Sequence, residues 1–232
     1  MTPDTPTSAM VFAAGFGTRM GALTADRPKP LINVAGRALI DHTLDIVESA
    51  GITRKIVNVH YRAEMMRRHL AGRSVTISEE TGDILETGGG LRKALPLLRP
   101  GPVYTLNSDS IWRGPNPLTA LSDAWSPEIM DALLLLIAPE AAHGHSGAGD
   151  FVLGKDGQIT RGPGLIYSGA QIIKTDRLAD ITDAAFSLNV VWDRMLSDGR
   201  VFGLRYPGAW CDVGTPHGIQ DAENLLRGDR DV

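Results

Sequence analysis

Residues 13–24, Ala-Ala-Gly-Phe-Gly-Thr-Arg-Met-Gly-Ala-Leu-Thr, followed by Pro28-Lys29-Pro30, decide how this chain is read. A glycine turn directly after an apolar run, here Met10–Ala14, is where an α/β protein offers backbone N–H groups to a phosphate. The ligand of such a turn is a redox dinucleotide, a P-loop triphosphate or another phosphate ester. The dinucleotide fingerprint requires G-x-G-x-x-G and an acid about 20 residues further on to hold a ribose. Met20 stands where the third glycine belongs, and the segment around Ala35, NVAGRAL, has no acid until Asp41. No GK[ST] follows either, which removes the Walker A reading. What stands is a glycine turn flanked by two cations, Arg19 and Lys29.

A guanidinium presents a planar fork matched to phosphate oxygens, whereas an ammonium acts as a compact point charge. Pro28 and Pro30 restrict the backbone on both sides of Lys29, so a stiff extended segment is expected to hold the amine in place. The blander reading is a solvated lysine between two turn prolines. Two carboxylates extend the pattern. Asp109 ends LNSD just after a predicted strand, and Asp212 lies in AWCDVGTP just past another. Carboxylates at strand ends lie where α/β proteins bind ligands, and a converging pair suits Mg²⁺, a hard cation with oxygen ligands. Each is equally the kind of residue that forms turns, and DVGTP reads as a cap before a helix at Pro216. A third block, Leu85–Leu95 (LETGGGLRKAL), places three consecutive glycines at a helix start, where backbone can approach a flat or charged group closely.

Around these blocks the first ~110 residues alternate strand and helix, the pattern of parallel βαβ units. Strands are expected at Met10–Ala14, Lys55–His60, Val75–Ser78 and Val103–Leu106, and helices at Ala38–Ala50, Ala63–Leu70 and Gly88–Leu98. The second half reads as a strand at Leu133–Ala138, a hairpin around Lys155-Asp156-Gly157, and a strand at Ala170–Ile173. A helix at Phe186–Leu196, short strands at Val201–Leu204 and Trp210–Val213, and a helix at Pro216–Leu226 complete it. Residues 1–9 read as a flexible polar tail, and residues 10–228 as one domain with a nucleotide-binding half (10–110) and a sugar-phosphate-binding half (111–228).

Composition narrows the function classes. With 232 residues, 43% of them hydrophobic and 22% charged, the chain is an ordinary globular protein. A formal net charge of −4 leaves no basic surplus for a nucleic-acid partner. The single cysteine, Cys211, excludes an intramolecular disulfide and fits a reducing compartment. The longest apolar run, Ala132–Ala138, is too short to span a bilayer, and the first ten residues lack the pattern of a signal peptide. The expectation is a soluble cytoplasmic protein without a membrane partner.

Taken together, AAGFGTRMGALTADRPKPLINVAGRALIDHTLD resembles the signature of the sugar-phosphate nucleotidyltransferases: a strand, then G-x-G-T-R-(M/L)-x-P-L-T, then PKP-(L/M), then V-x-G-x-P-(L/I) leading into a helix. Ala22 departs from it, standing where the family favours proline, and Ser108 replaces a usual glycine or alanine. The resemblance implies a Rossmann-like three-layer αβα sandwich with a mixed, mostly parallel central sheet, the nucleotide-diphospho-sugar transferase fold. It implies Asp109 and Asp212 as Mg²⁺ ligands, Lys29 on the α-phosphate and acceptor phosphate, and Arg19 on the leaving pyrophosphate. Ala13, Gly15, Gly17, Thr18, Glu86, Thr87, Gly88, Gly89 and Asn107 fall on the family's nucleotide-binding positions, the glycine block contacting base and ribose. Gly149, Asp150 and Gly169 fall where the acceptor sugar is held.

Within that family the chain looks most like the N-acetylmuramate 1-phosphate uridylyltransferases of cell-wall recycling, through LETGGGLRKALPLL, HGHSGAGDFVL, GLIYSGAQII and YPGAWCDVGTP. UTP is then the favoured nucleotide and N-acetylmuramate 1-phosphate the acceptor. Mannose-1-phosphate guanylyltransferases are the runner-up, and a non-catalytic regulatory subunit or a dinucleotide oxidoreductase are the rival classes. His143 and His145 match no zinc spacing and read as a mobile polar loop over the site. Cys211 reads as a packed small residue, and the four tryptophans as core or interface aromatics.

Overall fold

Strict alternation along the central strands explains the architecture of the computed structural model, which describes residues 4–228. In the fully buried strand ALLLLI (132–137), Leu133, Leu135 and Ile137 join one hydrophobic cluster while Ala132, Leu134 and Leu136 join another. A strand apolar on both faces must be covered on both, and side chains of period two divide between the covers.

The strands are β1 (Ser8–Phe12), β2 (Asn33–Val34), β3 (Arg37–Ala38), β4 (Arg54–Val59), β5 (Thr76–Glu79), β6 (Val103–Asn107), β7 (Ser110–Arg113), β8 (Ala132–Ile137), β9 (Ala142–His143), β10 (Phe151–Leu153), β11 (Ile159–Arg161), β12 (Ile166–Ile173), β13 (Val201–Arg205) and β14 (Ala209–Asp212). The helices are α1 (Leu39–Ser49), α2 (Ala63–Leu70), α3 (Glu86–Ala94), α4 (Pro117–Ala124), α5 (Leu188–Ser197) and α6 (Pro216–Arg227). Seven strands form the central sheet in the order β13-β8-β12-β6-β1-β4-β5, and only β12 runs against its neighbours. Helices α1, α2 and α4 bury Ile40, Leu44, Met66, Leu118 and Leu121 in the first cluster, and α3 and α5 bury Leu91, Val191 and Met195 in the second. The result is a three-layer αβα sandwich with a mixed, mostly parallel sheet, as the sequence led one to expect. Strands from both halves of the chain share that sheet.

Several boundaries differ from expectation. Ser8 and Ala9, assigned to the polar tail, are buried residues of β1, and Asp4 accepts a hydrogen bond from the Trp125 indole at 2.9 Å. Strand β7 and helix α4 were not expected. SIWR is too short and mixed to signal a strand, but Asn116-Pro117 carries a helix-start signal, and the Asn116 side chain accepts from the N–H groups of Leu118 and Thr119. Lys29–Leu31 forms a 3₁₀ turn instead of continuing extended, closed by Leu31 N–H to Pro28 C=O at 2.9 Å and Ile32 N–H to Lys29 C=O at 3.0 Å.

At the sheet end opposite the glycine turn, Asp131 is buried among Lys174, Arg177 and Arg200. Burial works to raise its pKa, but hydrogen bonds from Arg200 and Lys174 and their charges prevail and hold it below the ordinary aspartate value. This cluster ties β8, β12 and β13 together without touching the site.

Candidate active site

A cleft of about 320 Å³ opens at the carboxyl ends of β1 and β6. Ala13, Gly15, Gly17, Thr18, Arg19, Lys29, Glu86, Thr87, Asn107 and Asp109 all line it, with Asn58, Ser108 and Gly214. The glycine turn and Lys29 are built as one unit. Gly17 adopts a left-handed conformation (φ 66°), and a β-carbon there would lie 2.8 Å from Cβ of Lys29. The turn therefore needs glycine for its backbone angle and for room beside the lysine stem. Gly15 differs: a β-carbon there meets nothing within 4 Å and would project into open space.

Lys29 is only 8% exposed, and its ammonium lies 2.6 Å from Oδ2 of Asp109. Asp109 precedes β7 in a turn anchored by Ser108, whose hydroxyl donates to Phe12 C=O at 2.7 Å. Asp212, the last residue of β14, pairs opposite Ser110 of β7, and Val213 N–H donates to Asp109 C=O at 2.9 Å. This small antiparallel ladder, outside the central sheet, is what brings together carboxylates 103 positions apart in sequence. Burial and the neighbouring Asp109 charge raise the pKa of Asp212, against the opposing charges of Lys29, Arg19 and His145. Arg19 lies 3.8 Å from Asp212 with a largely exposed side chain. Asp212 does not cap α6; the Thr215 side chain does, accepting from Gly218 N–H at 3.4 Å. Two mutually repelling carboxylates beside a phosphate-sized cleft form a hard, oxygen-only donor set, which fits Mg²⁺.

The triple glycine works differently from expectation. Glycines 88–90 lie inside α3 and are buried. A β-carbon on Gly88 would meet the Phe186 ring at 2.3 Å, and the N–H groups of Gly88 and Gly89 both donate to Phe186 C=O. These glycines admit a segment of the protein itself, so neither Gly88 nor Gly89 presents its amide to the cleft. Glu86 and Thr87 do line it, Glu86 with φ 58°, an uncommon angle for a residue with a side chain. The Ala13 N–H is likewise committed, donating to Asn58 Oδ1 at 2.8 Å. Asn58 donates to the buried Glu80, whose other oxygen accepts from Leu85 N–H at 2.9 Å. Asn58 and Glu80 thus clamp the two sides of the cleft. A polar residue inside the apolar strand KIVNVH was the available signal.

A second cavity of about 230 Å³ shares Phe12, Thr87 and Asn107 with the first. Its other walls come from β10, β11, β12 and α5 and include Asp150, Phe151, Arg161, Tyr167, Asn189 and Trp192. Asp150 lies on this wall, with Oδ2 accepting from Tyr167 N–H at 2.8 Å. Gly149 and Gly169 do not line it but shape it. A β-carbon on Gly149 would meet Gly164 C=O at 2.2 Å, and one on Gly169 would strike the Asn107 side chain at 2.7 Å. Trp192, read as a core or interface aromatic, is buried and also forms cavity wall.

The histidine loop is anchored beside Asp212: His143 pairs with Cys211 in β9 and β14, and a β-carbon on Gly144 would meet Asp212 C=O at 2.3 Å. Neither His143 nor His145 lines a cavity described above. Cys211 is fully buried, and burial first, then the charges of Asp221 and Asp212, push its thiol up to about 12. No helix among the described residues is long and apolar enough to cross a membrane.

Residues 9–145 match the family model described as the MobA-like NTP transferase domain. A Caulobacter vibrioides protein named N-acetylmuramate alpha-1-phosphate uridylyltransferase is 43% identical, covering 95% of this chain and 97% of its own. A probable mannose-1-phosphate guanylyltransferase of Oryza sativa is more distant, 29% identical over 90% of this chain and 61% of its own. Among solved structures, HddC from Yersinia pseudotuberculosis complexed with GMP-PN has a TM-score of 0.77 at 18% identity, covering 95% of this chain and 99% of that one. The inositol-1-phosphate CTP transferase from T. maritima has a TM-score of 0.75 at 17% identity, covering 98% of both chains. The fold is the nucleotide-diphospho-sugar transferase fold that the sequence implied.

Proposed function

We propose, from the premise that this chain belongs to the MobA-like NTP transferase family and is a sugar-phosphate nucleotidyltransferase, that it joins UTP to N-acetylmuramate α-1-phosphate. An oxygen of the sugar phosphate attacks the α-phosphorus of UTP, the bond between α-phosphorus and bridging oxygen breaks, and pyrophosphate leaves. The product is UDP-N-acetylmuramate. A sugar phosphate with a second pKa near ~6 is already a charged nucleophile at neutral pH, so the chain needs no general base. It needs fixed positive charge and alignment.

The observation that carries this reading is the convergence of Lys29, Asp109, Asp212 and Arg19 at one end of the glycine-turn cleft. Lys29 neutralises charge at the α-phosphate and the incoming phosphate, and Arg19 contacts the departing pyrophosphate. Gly15, Gly17 and Thr18 lie along the triphosphate, while Glu86 and Thr87 border the nucleoside. Asp109 and Asp212 would hold Mg²⁺, which supplies charge neutralisation on the phosphates when bound. Asn107 spans both cavities and sets the acceptor against the nucleotide. A reaction drawing on UTP is consistent with a cytoplasmic setting.

Pyrophosphate release measured over UTP, GTP, CTP and dTTP against several sugar 1-phosphates tests the reading. UTP with N-acetylmuramate 1-phosphate is expected to give the highest kcat/KM. A clear preference for GTP with mannose 1-phosphate would overturn it.

A further inference from the structure

The acceptor cavity contains one cation among the described residues that line it, Arg161 on β11. We infer that Arg161 reads the lactyl carboxylate of an acidic amino sugar, and so selects N-acetylmuramate 1-phosphate over neutral sugar phosphates. This inference rests on the reaction proposed above and assigns its acceptor specificity to one residue. Muramate differs from the corresponding neutral hexosamine by a lactyl ether that ends in a carboxylate. Discrimination between the two therefore requires a group that recognises that anion.

The position of Arg161 suits this task. Its guanidinium lies over two aromatic rings of the cavity wall, 5.1 Å from the Phe151 centroid and 5.9 Å from that of Trp192. Those rings fix the plane of the fork without consuming its donors. Nε and Nη2 both point at a single oxygen of Asp193, Oδ1, at 3.0 and 2.7 Å. Asp193 does not line the cavity and is exposed over 62% of its side chain. An exposed pair of this kind is weakly held, so an incoming carboxylate can displace or share it at little cost. Arg161 is itself exposed over 42% of its side chain, so it can reach a carboxylate at the mouth of the cavity, where the fork geometry of a charge-assisted pair carries the recognition. The other charged lining residue, Asp150, has one oxygen committed to the Tyr167 N–H and leaves the second for a sugar hydroxyl. The shared wall of Phe12, Thr87 and Asn107 faces the nucleotide, which assigns the sugar's phosphate to that side and its far substituent to the Arg161 side.

Steady-state kinetics with UTP test the assignment, using N-acetylmuramate 1-phosphate and N-acetylglucosamine 1-phosphate as acceptors for the wild type, Arg161→Gln, Arg161→Lys and Asp193→Ala. In Arg161→Gln, KM for the muramate acceptor is expected to rise by about 10- to 100-fold, as for a lost charge-assisted fork, with kcat little changed. A cooperative thermal melt and a circular-dichroism spectrum like the wild type's show that the variant is folded, and use of the glucosamine acceptor, which lacks the carboxylate, does not fall in parallel. Arg161→Lys falls between, retaining charge but not the fork. Asp193→Ala keeps or lowers the muramate KM, because it removes the competitor. Equal losses for both acceptors in Arg161→Gln, or an Asp193→Ala variant with the same defect, would reduce Arg161 to a staple between β11 and α5 and overturn the inference. A wild type that ignores the muramate acceptor would instead overturn the reaction itself, and the inference with it.

Discussion

The Lys29 ammonium lies 2.6 Å from a carboxylate oxygen of Asp109, and this contact joins two residues 80 positions apart that line the glycine-turn cleft. One end is a lysine buried against Gly17, and the other is a strand-end aspartate aligned by the β7–β14 ladder. The pair therefore places fixed positive charge beside the proposed metal carboxylates.

Replacing Lys29 with alanine removes that charge and leaves Asp109 without its ion-pair partner. Turnover should fall by about 10²–10³-fold, as when a fixed electrostatic donor is removed, while nucleotide affinity changes little. Single-turnover rates and equilibrium binding check this, and near-normal turnover would remove Lys29 from the chemistry.

Asp109→Asn and Asp212→Asn should each raise the Mg²⁺ concentration needed for half-maximal activity and depress the rate at saturation. Because the two carboxylates repel each other, Asp212→Asn should not lower Tm in metal-free buffer. A Mg²⁺ titration together with thermal melts separates this outcome from simple unfolding.

The two glycines of the turn should respond differently to alanine. Gly17→Ala forces a β-carbon into the Lys29 stem at a left-handed φ, costing about 1–3 kcal/mol and lowering kcat. Gly15→Ala meets no protein atom, so Tm holds while KM for the nucleotide rises. Equal melting losses in both variants would contradict this division.

Asp131 sets an acid limit on stability. Its folded pKa is lowered, so its contribution is complete above the unfolded value of about 3.9 and is lost as pH falls through the lower folded value. Asp131→Asn should cost about 2 kcal/mol at neutral pH, and the gap from wild type should close in acid. Urea melts of both proteins across pH test the slope; a gap independent of pH would count against it.

Cys211 should resist alkylation in the native chain at about pH 8 and react once the chain is unfolded, since its thiol is buried and pushed up to about 12. Cys211→Ala should retain near wild-type turnover. Loss of turnover on native-state alkylation would restore a chemical role.

What was legible in the sequence depended on covalent neighbours. Gly17, Lys29 and Asp109 act through local turns whose residue types announce themselves, and the unbroken apolar run of β8 marked a strand buried on both faces, whereas the three layers came from the family resemblance. The glycines of α3 misled because their purpose depends on Phe186, about a hundred residues away, whose ring fills the space a side chain would take. The acceptor wall was least legible. Arg161, Tyr167 and Trp192 carry no shared spacing and meet only because β11, β12 and α5 fold around one cavity.

The hairpin β10–β11 pairs as its own two-stranded sheet, outside the hydrogen-bond ladder of the central seven strands. It is joined to its neighbours by the isolated bridges Phe151–Leu165 and Gln158–Phe202 and by the buried Phe151 and Ile159 side chains, beside the aromatic wall of the second cavity. Phe151 and Ile159 nonetheless belong to the core on that side of the sheet, so within residues 150–162 only the exposed positions can be varied while the cleft residues at the ends of β1, β6 and β14 are left whole. A library confined to that hairpin is the direct route to nucleotide sugars this scaffold does not yet make.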